Sequence, residues 1–327
     1  MNRIRFGVIG TNFITDKVIS GGRQDERFEL VAVCSRKQET AAAFAAKHNI
    51  THTFTSLEAM ATSPLIDAVY VASPNSLHAS QSILCLKNGK HVLCEKAFAS
   101  NAKEVSDMIS TARVNNVALM EAMKPTLTPN FNATLNALNR IGVVRRYFSC
   151  YCQYSSRYDK FREGIVLNAF KPELSNGALT DIGVYTIYPM VVLFGRPLTI
   201  KAAGVKLSSG VDGEGSVVFS YPNMDAVVIY SKITNSSLPT EIQGEDGNII
   251  LDRINIISDV NILFRDGRKE SLTQPTERNE YYYEIKEFID IIQSGKQQST
   301  VNSWENSLIT MEIMDEIRSQ LGIQYPV

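Results

Sequence analysis

A regular alternation of strand and helix patterns over the first 120 residues restricts this chain more than any other feature. Ile4–Ile9 is a short apolar strand, and a helical pattern follows Thr11 as far as Gly21 and Gly22. Phe28–Cys34 reads as a second strand, followed by an alanine-rich helix over 39–48. A strand at 66–71 leads into a helix over 77–88 closed by Gly89. A strand at 91–94, a helix over Ala102–Val114 and a strand at 118–120 follow, with Asn101 and Glu104 forming a capping box. Strands and helices alternating at this spacing are βαβ units, whose right-handed crossovers place the strands in one parallel sheet. The expectation is a doubly wound α/β domain over residues 1–122.

The rhythm changes near residues 122–125. A helix pattern follows Pro129, 143–154 is a long alternating strand, and 155–177 is a polar, irregular stretch containing Arg157, Arg162 and Lys171. A helix over 181–194 stops at Gly195. Strands follow at 200–207, 216–221, 226–233 and 249–251, with hairpin-turn signals at 245–248 and 265–268. Two helices, near 281–294 and 303–321, complete the pattern. Runs of strands with few intervening helices predict an α+β domain over 123–327 with a mostly antiparallel, open sheet.

Composition narrows the partners. The 327 residues suffice for about two domains, and 44% hydrophobic with 20% charged residues is ordinary for a globular protein. A net charge of −1 provides no field to gather nucleic acid or anionic lipid, so neither is expected as a partner. The start, MNRIRFGVIG, mimics a signal peptide, but its apolar run is short and leads into glycine and polar residues. No stretch reads as the roughly 18 apolar residues of a membrane span. Five cysteines without a C-x-x-C pair fit reduced thiols and a cytoplasmic location. Cys150 and Cys152, at i and i+2, are expected on one face of a strand. The four histidines have no metal-ligand spacing with acids or cysteines, so no metal is expected.

The first strand-turn-helix reads GVIGTNFIT, comprising Gly10, Thr11, Asn12, Phe13 and Ile14. A dinucleotide fingerprint, G-x-G-x-x-G/A, lets the backbone approach a pyrophosphate at a helix N-terminus. Gly10 fills its first position, but Asn12 and Thr15 stand at the second and third. Asn tolerates left-handed backbone angles, so the turn is expected to survive. After the second strand come Ser35, Arg36 and Lys37, with no acid to bind the ribose of NAD. A hydroxyl and two cations suit the 2′-phosphate of NADP; a solvated strand end is the plainer alternative.

These features extend to a family. The chain resembles the glucose–fructose oxidoreductase/inositol dehydrogenase/MocA (Gfo/Idh/MocA) oxidoreductases along nearly its whole length. The likeness rests on the first turn, on Ser73-Pro74-Asn75-Ser76-Leu77-His78, on Glu95-Lys96, and on Met120-Glu121-Ala122-Met123. It continues through Gly177-Ala178-Leu179-Thr180-Asp181-Ile182-Gly183-Val184-Tyr185 to Gly322-Ile323-Gln324-Tyr325-Pro326. Lys171-Pro172-Glu173-Leu174 and Tyr185 resemble the branch of dihydrodiol dehydrogenases and NADP-linked aldose 1-dehydrogenases. Two departures are Ala97, where the family has Glu-Lys-Pro, and Asn12 in place of a glycine.

The resemblance implies a Rossmann domain and an NADP-dependent dehydrogenase (NAD the alternative) acting on a sugar, cyclic polyol or dihydrodiol. It assigns Lys96, Asp181 and Tyr185 to catalysis. It assigns Ser73, Pro74, Asn75, His78, Glu95, Lys96 and Glu121 to the cofactor site, Asn75 and His78 toward the nicotinamide half. The chemistry agrees. Lys96 follows a strand at its carboxyl end, where open parallel sheets bind ligands, and Asp181 and Tyr185 at i, i+4 share a helix face. A free tyrosine titrates near 10, and a lysine about 4 Å away favours phenolate by at most about 4 kcal/mol, or about three pKa units. Plainer alternatives are an N-terminal helix acid for Asp181, a core aromatic for Tyr185 and an ordinary helix residue for His78. A cofactor-binding sensor and a redox-assisted glycosidase are the competing functions. By resemblance a homo-oligomer, dimer or tetramer, is expected.

Overall fold

The computed structural model describes residues 3–326. In chain order the elements are β1 (Ile4–Ile9), α1 (Phe13–Gly22), β2 (Phe28–Cys34), α2 (Gln38–His48), β3 (His52–Phe54), α3 (Leu57–Thr62), β4 (Ala68–Val71), α4 (Asn75–Lys87), β5 (His91–Glu95), α5 (Ala102–Val114) and β6 (Leu119–Ala122). There follow α6 (Pro129–Ala137), β7 (Val144–Cys152), α7 (Tyr158–Arg162), α8 (Val184–Phe194), β8 (Thr199–Lys206), β9 (Asp212–Ser220), β10 (Asp225–Ser231), β11 (Thr240–Gly244), β12 (Gly247–Leu251), β13 (Val260–Phe264), β14 (Lys269–Ser271), α9 (Glu280–Gln293) and α10 (Trp304–Leu321).

Six strands form a parallel sheet in the order β3-β2-β1-β4-β5-β6. The order reverses between β1 and β4, which is where such sheets bind ligands at the carboxyl ends of their strands. β4 is buried along its whole length, as a strand covered by helices on both faces must be. The second sheet runs β14-β13-β12-β11-β7-β10-β9-β8 and is antiparallel except between β7 and β10. Both expected hairpin turns join strands, β11 to β12 and β13 to β14. On β7, Cys150 and Cys152 share a face with sulfurs 3.8 Å apart, and all five cysteines are free.

By compactness one unit comprises Met1–Lys124 with Glu277–Leu308, and the other Pro125–Thr276 with Ile309–Val327. A single division at residue 122 does not anticipate that 277–308 returns to the first unit. Two contacts explain the return. Gly21 on α1 leaves room for α9, since a Cβ there would lie 2.7 Å from Tyr281. Beyond α9 the chain covers the outer edge strand β6: Leu119 N–H donates to the Gln297 carbonyl at 2.9 Å and Trp304 Nε1–H to the Leu119 carbonyl at 2.9 Å.

One expectation needs correcting. The stretch Pro172–Phe194 is long and apolar enough by composition to cross a membrane. Its most apolar window is 72% buried within the protein, so it reads as a core helix.

Candidate cofactor and substrate sites

In the first unit the β1–α1 turn is built around Gly10 and Asn12. Gly10 has φ +105°, and a Cβ there would stand 2.5 Å from the Ala72 carbonyl oxygen, so only glycine fits. Asn12 is not left-handed. Its backbone is extended (φ −87°, ψ 174°), and it is the N-cap of α1. Its Oδ1 accepts from the N–H groups of Ile14 (2.9 Å) and Thr15 (3.2 Å), while Nδ2 donates to the Ala72 carbonyl at 2.8 Å. Thr15 is buried and its hydroxyl donates to the Gly10 carbonyl at 3.1 Å. The two departures from the glycine fingerprint are therefore a cap and a buried tie, and the backbone angles at position 12 do not call for glycine.

At the end of β2, Cys34 is buried, Ser35 is half-buried and Arg36 and Lys37 are exposed. Lys37 precedes α2 without a side-chain capping bond. Beside this segment, Thr11 and the α2 residues Glu39, Thr40, Ala43, Phe44 and Lys47 line an open depression of about 470 Å³.

The ends of β4 and β5 are joined by His78. Its Nδ1 lies 2.9 Å from the Ala97 carbonyl and its Nε2 2.8 Å from that of Ser73. The ring is 1% exposed, and burial holds its pKa below the ordinary histidine value. His78 is thus a buried clamp between the two strand ends. Nearby, the Ser73 Oγ is buried without a hydrogen-bond partner, Pro74 is exposed, and Asn75 opens α4. The Lys96–Ala97 peptide, where the family pattern has proline, is cis.

Lys96 is half-buried immediately after β5. Before it, Glu95 accepts a hydrogen bond from the buried Tyr70 hydroxyl, and burial raises the pKa of its carboxyl. Glu121 is 2% exposed and accepts from the Phe98 N–H at 3.1 Å. Burial pushes its pKa up to about 8, so it is a neutral acid at pH 7. Through that bond Glu121, expected in the cofactor site, supports the loop after β5. Glu284 on α9, which the sequence did not single out, is a third buried acid whose pKa burial raises well above the ordinary value. Lys124 makes a 2.5 Å ion pair with Glu280 in the same unit.

In the second unit Asp181 lies in a π-helical turn, Leu179–Gly183, that runs into α8, and Tyr185 follows in the first turn of α8. Both are half-buried. Single π turns inside helices recur at functional sites. Tyr185 meets Tyr151 of β7 edge-on at 5.7 Å between ring centroids. The approach to the turn is set by Gly177 (φ +149°), where a Cβ would meet Asp212 Oδ1 at 2.2 Å. Asp212 is 1% exposed and its Oδ2 accepts the Leu179 N–H at 2.7 Å, capping the turn from β9. Burial raises its pKa to about 6. Lys232, just past β10, donates to Asp181 Oδ2 at 2.6 Å. Sequence reasoning missed both Asp212 and Lys232; the only signal was a charge at the end of an apolar strand.

Known proteins share this arrangement of elements. Residues 4–123 match the family model described as "Oxidoreductase family, NAD-binding Rossmann fold", and residues 137–250 match the GFO/IDH/MocA C-terminal domain. The chain is 55% identical over 323 residues to scyllo-inositol 2-dehydrogenase (NADP(+)) IolU of Bacillus subtilis, covering 99% of this chain and 98% of that protein. It is 31% identical over 314 residues to trans-1,2-dihydrobenzene-1,2-diol dehydrogenase of Xenopus tropicalis, covering 91% of each. Among solved structures, aldose-aldose oxidoreductase from Caulobacter crescentus superposes with a TM-score of 0.87 at 18% identity, over 98% of this chain and 97% of that one.

Proposed function

Because the chain belongs to the Gfo/Idh/MocA family of oxidoreductases, we propose that it oxidises a ring CH–OH group of an inositol-like cyclic polyol with NADP as hydride acceptor. The observation that carries this reading is the near full-length likeness to an NADP-linked inositol dehydrogenase.

The residues fit the cofactor. Gly10 lets the chain pass the Ala72 carbonyl, and the buried, unpartnered Ser73 Oγ lies in the turn after β4. The Phe13 N–H, at the first residue of α1, has no acceptor among the described residues and is assigned with Gly10, Thr11, Asn12 and Ile14 to the pyrophosphate. Ser35, Arg36 and Lys37 are assigned to the 2′-phosphate, and Ser73, Pro74 and Asn75 to the nicotinamide half. When bound, the nicotinamide accepts the hydride that leaves the carbinol carbon.

The chain's own task is the proton. As the C–H electrons leave, the alcohol oxygen becomes a carbonyl oxygen and its proton needs an acceptor. Tyr185 is assigned to take it, Lys96 to favour the phenolate by its charge, and Asp181 to orient the substrate by accepting from a hydroxyl. His78 and Glu121 position the loops that carry Ser73 and Lys96. A homodimer through the open face of the second sheet is assigned on exposed Val218 (48%) and Leu263 (41%), and a cytoplasmic location on the free cysteines.

Following NADPH absorbance with scyllo-inositol, other inositols, aldoses and trans-dihydrodiols tests the reading. The highest kcat/KM is expected for a cyclohexane polyol with NADP. A clear preference for aldoses or dihydrodiols overturns the substrate class, and no reduction with any of them overturns the enzyme reading.

A further inference from the structure

Three separated segments meet at the Lys232 ammonium. It donates to Asp181 Oδ2 at 2.6 Å and to the Ala169 carbonyl at 3.4 Å, and it lies 5.1 Å from the centroid of the Phe170 ring. The Lys232 side chain is 4% exposed whereas that of Asp181 is 38% exposed. Burying an ammonium is expensive unless it is paired, and a surface carboxylate needs no buried partner to remain ionised. The asymmetry points to a lysine that serves the carboxylate facing solvent. A two-contact anchor also removes rotamer freedom from a side chain in an irregular helical turn.

We propose that Lys232 is a positioning residue that holds Asp181 as an oriented hydrogen-bond acceptor for a hydroxyl of the substrate. Lys232 acts through Asp181 and does not touch substrate, its ammonium being committed to Asp181, Ala169 and Phe170. Asp181 then accepts from the substrate and transfers no proton, which leaves that step to Lys96 and Tyr185. The inference rests on the reading of Asp181 as a substrate-facing residue. Among the described residues of the second unit, ionisable groups near this pair include Asp212 on β9, Glu214 on β9 beside Ser231, Tyr185 on α8 and, next to Asp212, Tyr230 on β10 and Tyr325.

The test uses full-length protein, first without substrate. Carboxyl-¹³C NMR of aspartate-labelled protein, with Asp181→Asn and Asp212→Asn to assign resonances, gives the titration midpoint of Asp181. In Lys232→Met that midpoint should rise by about 1–3 units, because an opposite charge within 4–6 Å favours the carboxylate; Lys232→Arg should restore it. An unchanged midpoint in a folded Lys232→Met protein overturns the proposal. With scyllo-inositol and NADP, Lys232→Met should lose about 10- to 100-fold in kcat/KM, with the acidic limb of its pH profile moved upward. In an Asp181→Asn background the same change should add less than about 2-fold. Full additivity sinks the positioning role. If Asp181→Asn keeps normal kcat/KM while the midpoint shift is present, the ion pair stands and the assignment of Asp181 to substrate fails.

Discussion

Asn12 Nδ2 donates a 2.8 Å hydrogen bond to the carbonyl of Ala72, tying the first turn of the parallel sheet to the end of its fourth strand. The same side chain caps α1 through its oxygen. One residue therefore shapes both strand ends at the point where the strand order reverses. The extended backbone of Asn12 changes what its substitution should do, because glycine has no conformational advantage there.

Asn12→Ala should destabilise the fold by about 1–2 kcal/mol, from the lost cap and the lost bond to Ala72. Asn12→Gly should also destabilise rather than improve binding. Asn12→Asp keeps the cap oxygen but replaces the donor to the Ala72 carbonyl with an acceptor and places a negative charge where an anion is to bind, so stability should fall by about 1–3 kcal/mol and NADP affinity at least about tenfold. Denaturant unfolding and coenzyme titration on the same samples separate the two effects. Tighter NADP binding by Asn12→Gly contradicts the capping account.

Coenzyme choice is assigned to exposed Arg36 and Lys37. Arg36→Ala removes a charge-assisted phosphate contact, about 1.5–3 kcal/mol, or roughly 10- to 150-fold in NADP affinity. NAD lacks the 2′-phosphate and should be affected much less. Fluorescence titration with both coenzymes checks this, and equal losses for the two exclude a phosphate contact at Arg36.

Long, strongly patterned elements were legible in the sequence. The helices and strands around β1, β2, β4 and β5 have enough periodicity to be read without tertiary context. β3, α3, α7, β11, β13 and β14 were not, since three to six residues hold no more than about one or two repeats of their own period. The return of 277–308 depends on Gly21 admitting α9, which no local pattern reports. At the site, charged strand ends and the resemblance marked Lys96 and Asp181. Whether a polar side chain also holds its neighbours is decided by packing, so the internal hydrogen bonds of His78 and Glu121 were not legible in the sequence. Lys232 was hidden for the same reason: its partner lies 51 residues away.

Glu121 provides a pH test of that burial. Its carboxyl titrates near 4.5 when unperturbed and at about 8 in the fold. A raised carboxyl pKa means that the native state holds a proton which the unfolded chain releases. Stability is therefore full below about 4.5 and declines toward 8, with a slope of up to about 1.4 kcal/mol per pH unit. Glu121→Gln mimics the neutral acid and should remove this slope, making the variant relatively more stable as pH rises. Unfolding free energies at pH 5, 6, 7 and 8 measure it; parallel curves for the two proteins would show Glu121 ionised in the fold.

The proton-transfer assignment is the last test. Lys96→Ala should lower turnover about 10²–10⁴-fold while the protein remains folded, since Lys96 follows its strand in a half-buried position. Tyr185→Phe keeps the ring that meets Tyr151 and deletes only the hydroxyl, so it isolates chemistry from packing. Retained activity in Tyr185→Phe together with loss in Lys96→Ala makes lysine the sole acid/base and tyrosine a lining residue. Normal turnover by both variants on a good substrate contradicts the assignment. Groups that act as a unit lose their effect together, so the double variant should be little worse than the weaker single one. Multiplicative losses in kcat would mean that each residue serves the reaction by a separate route.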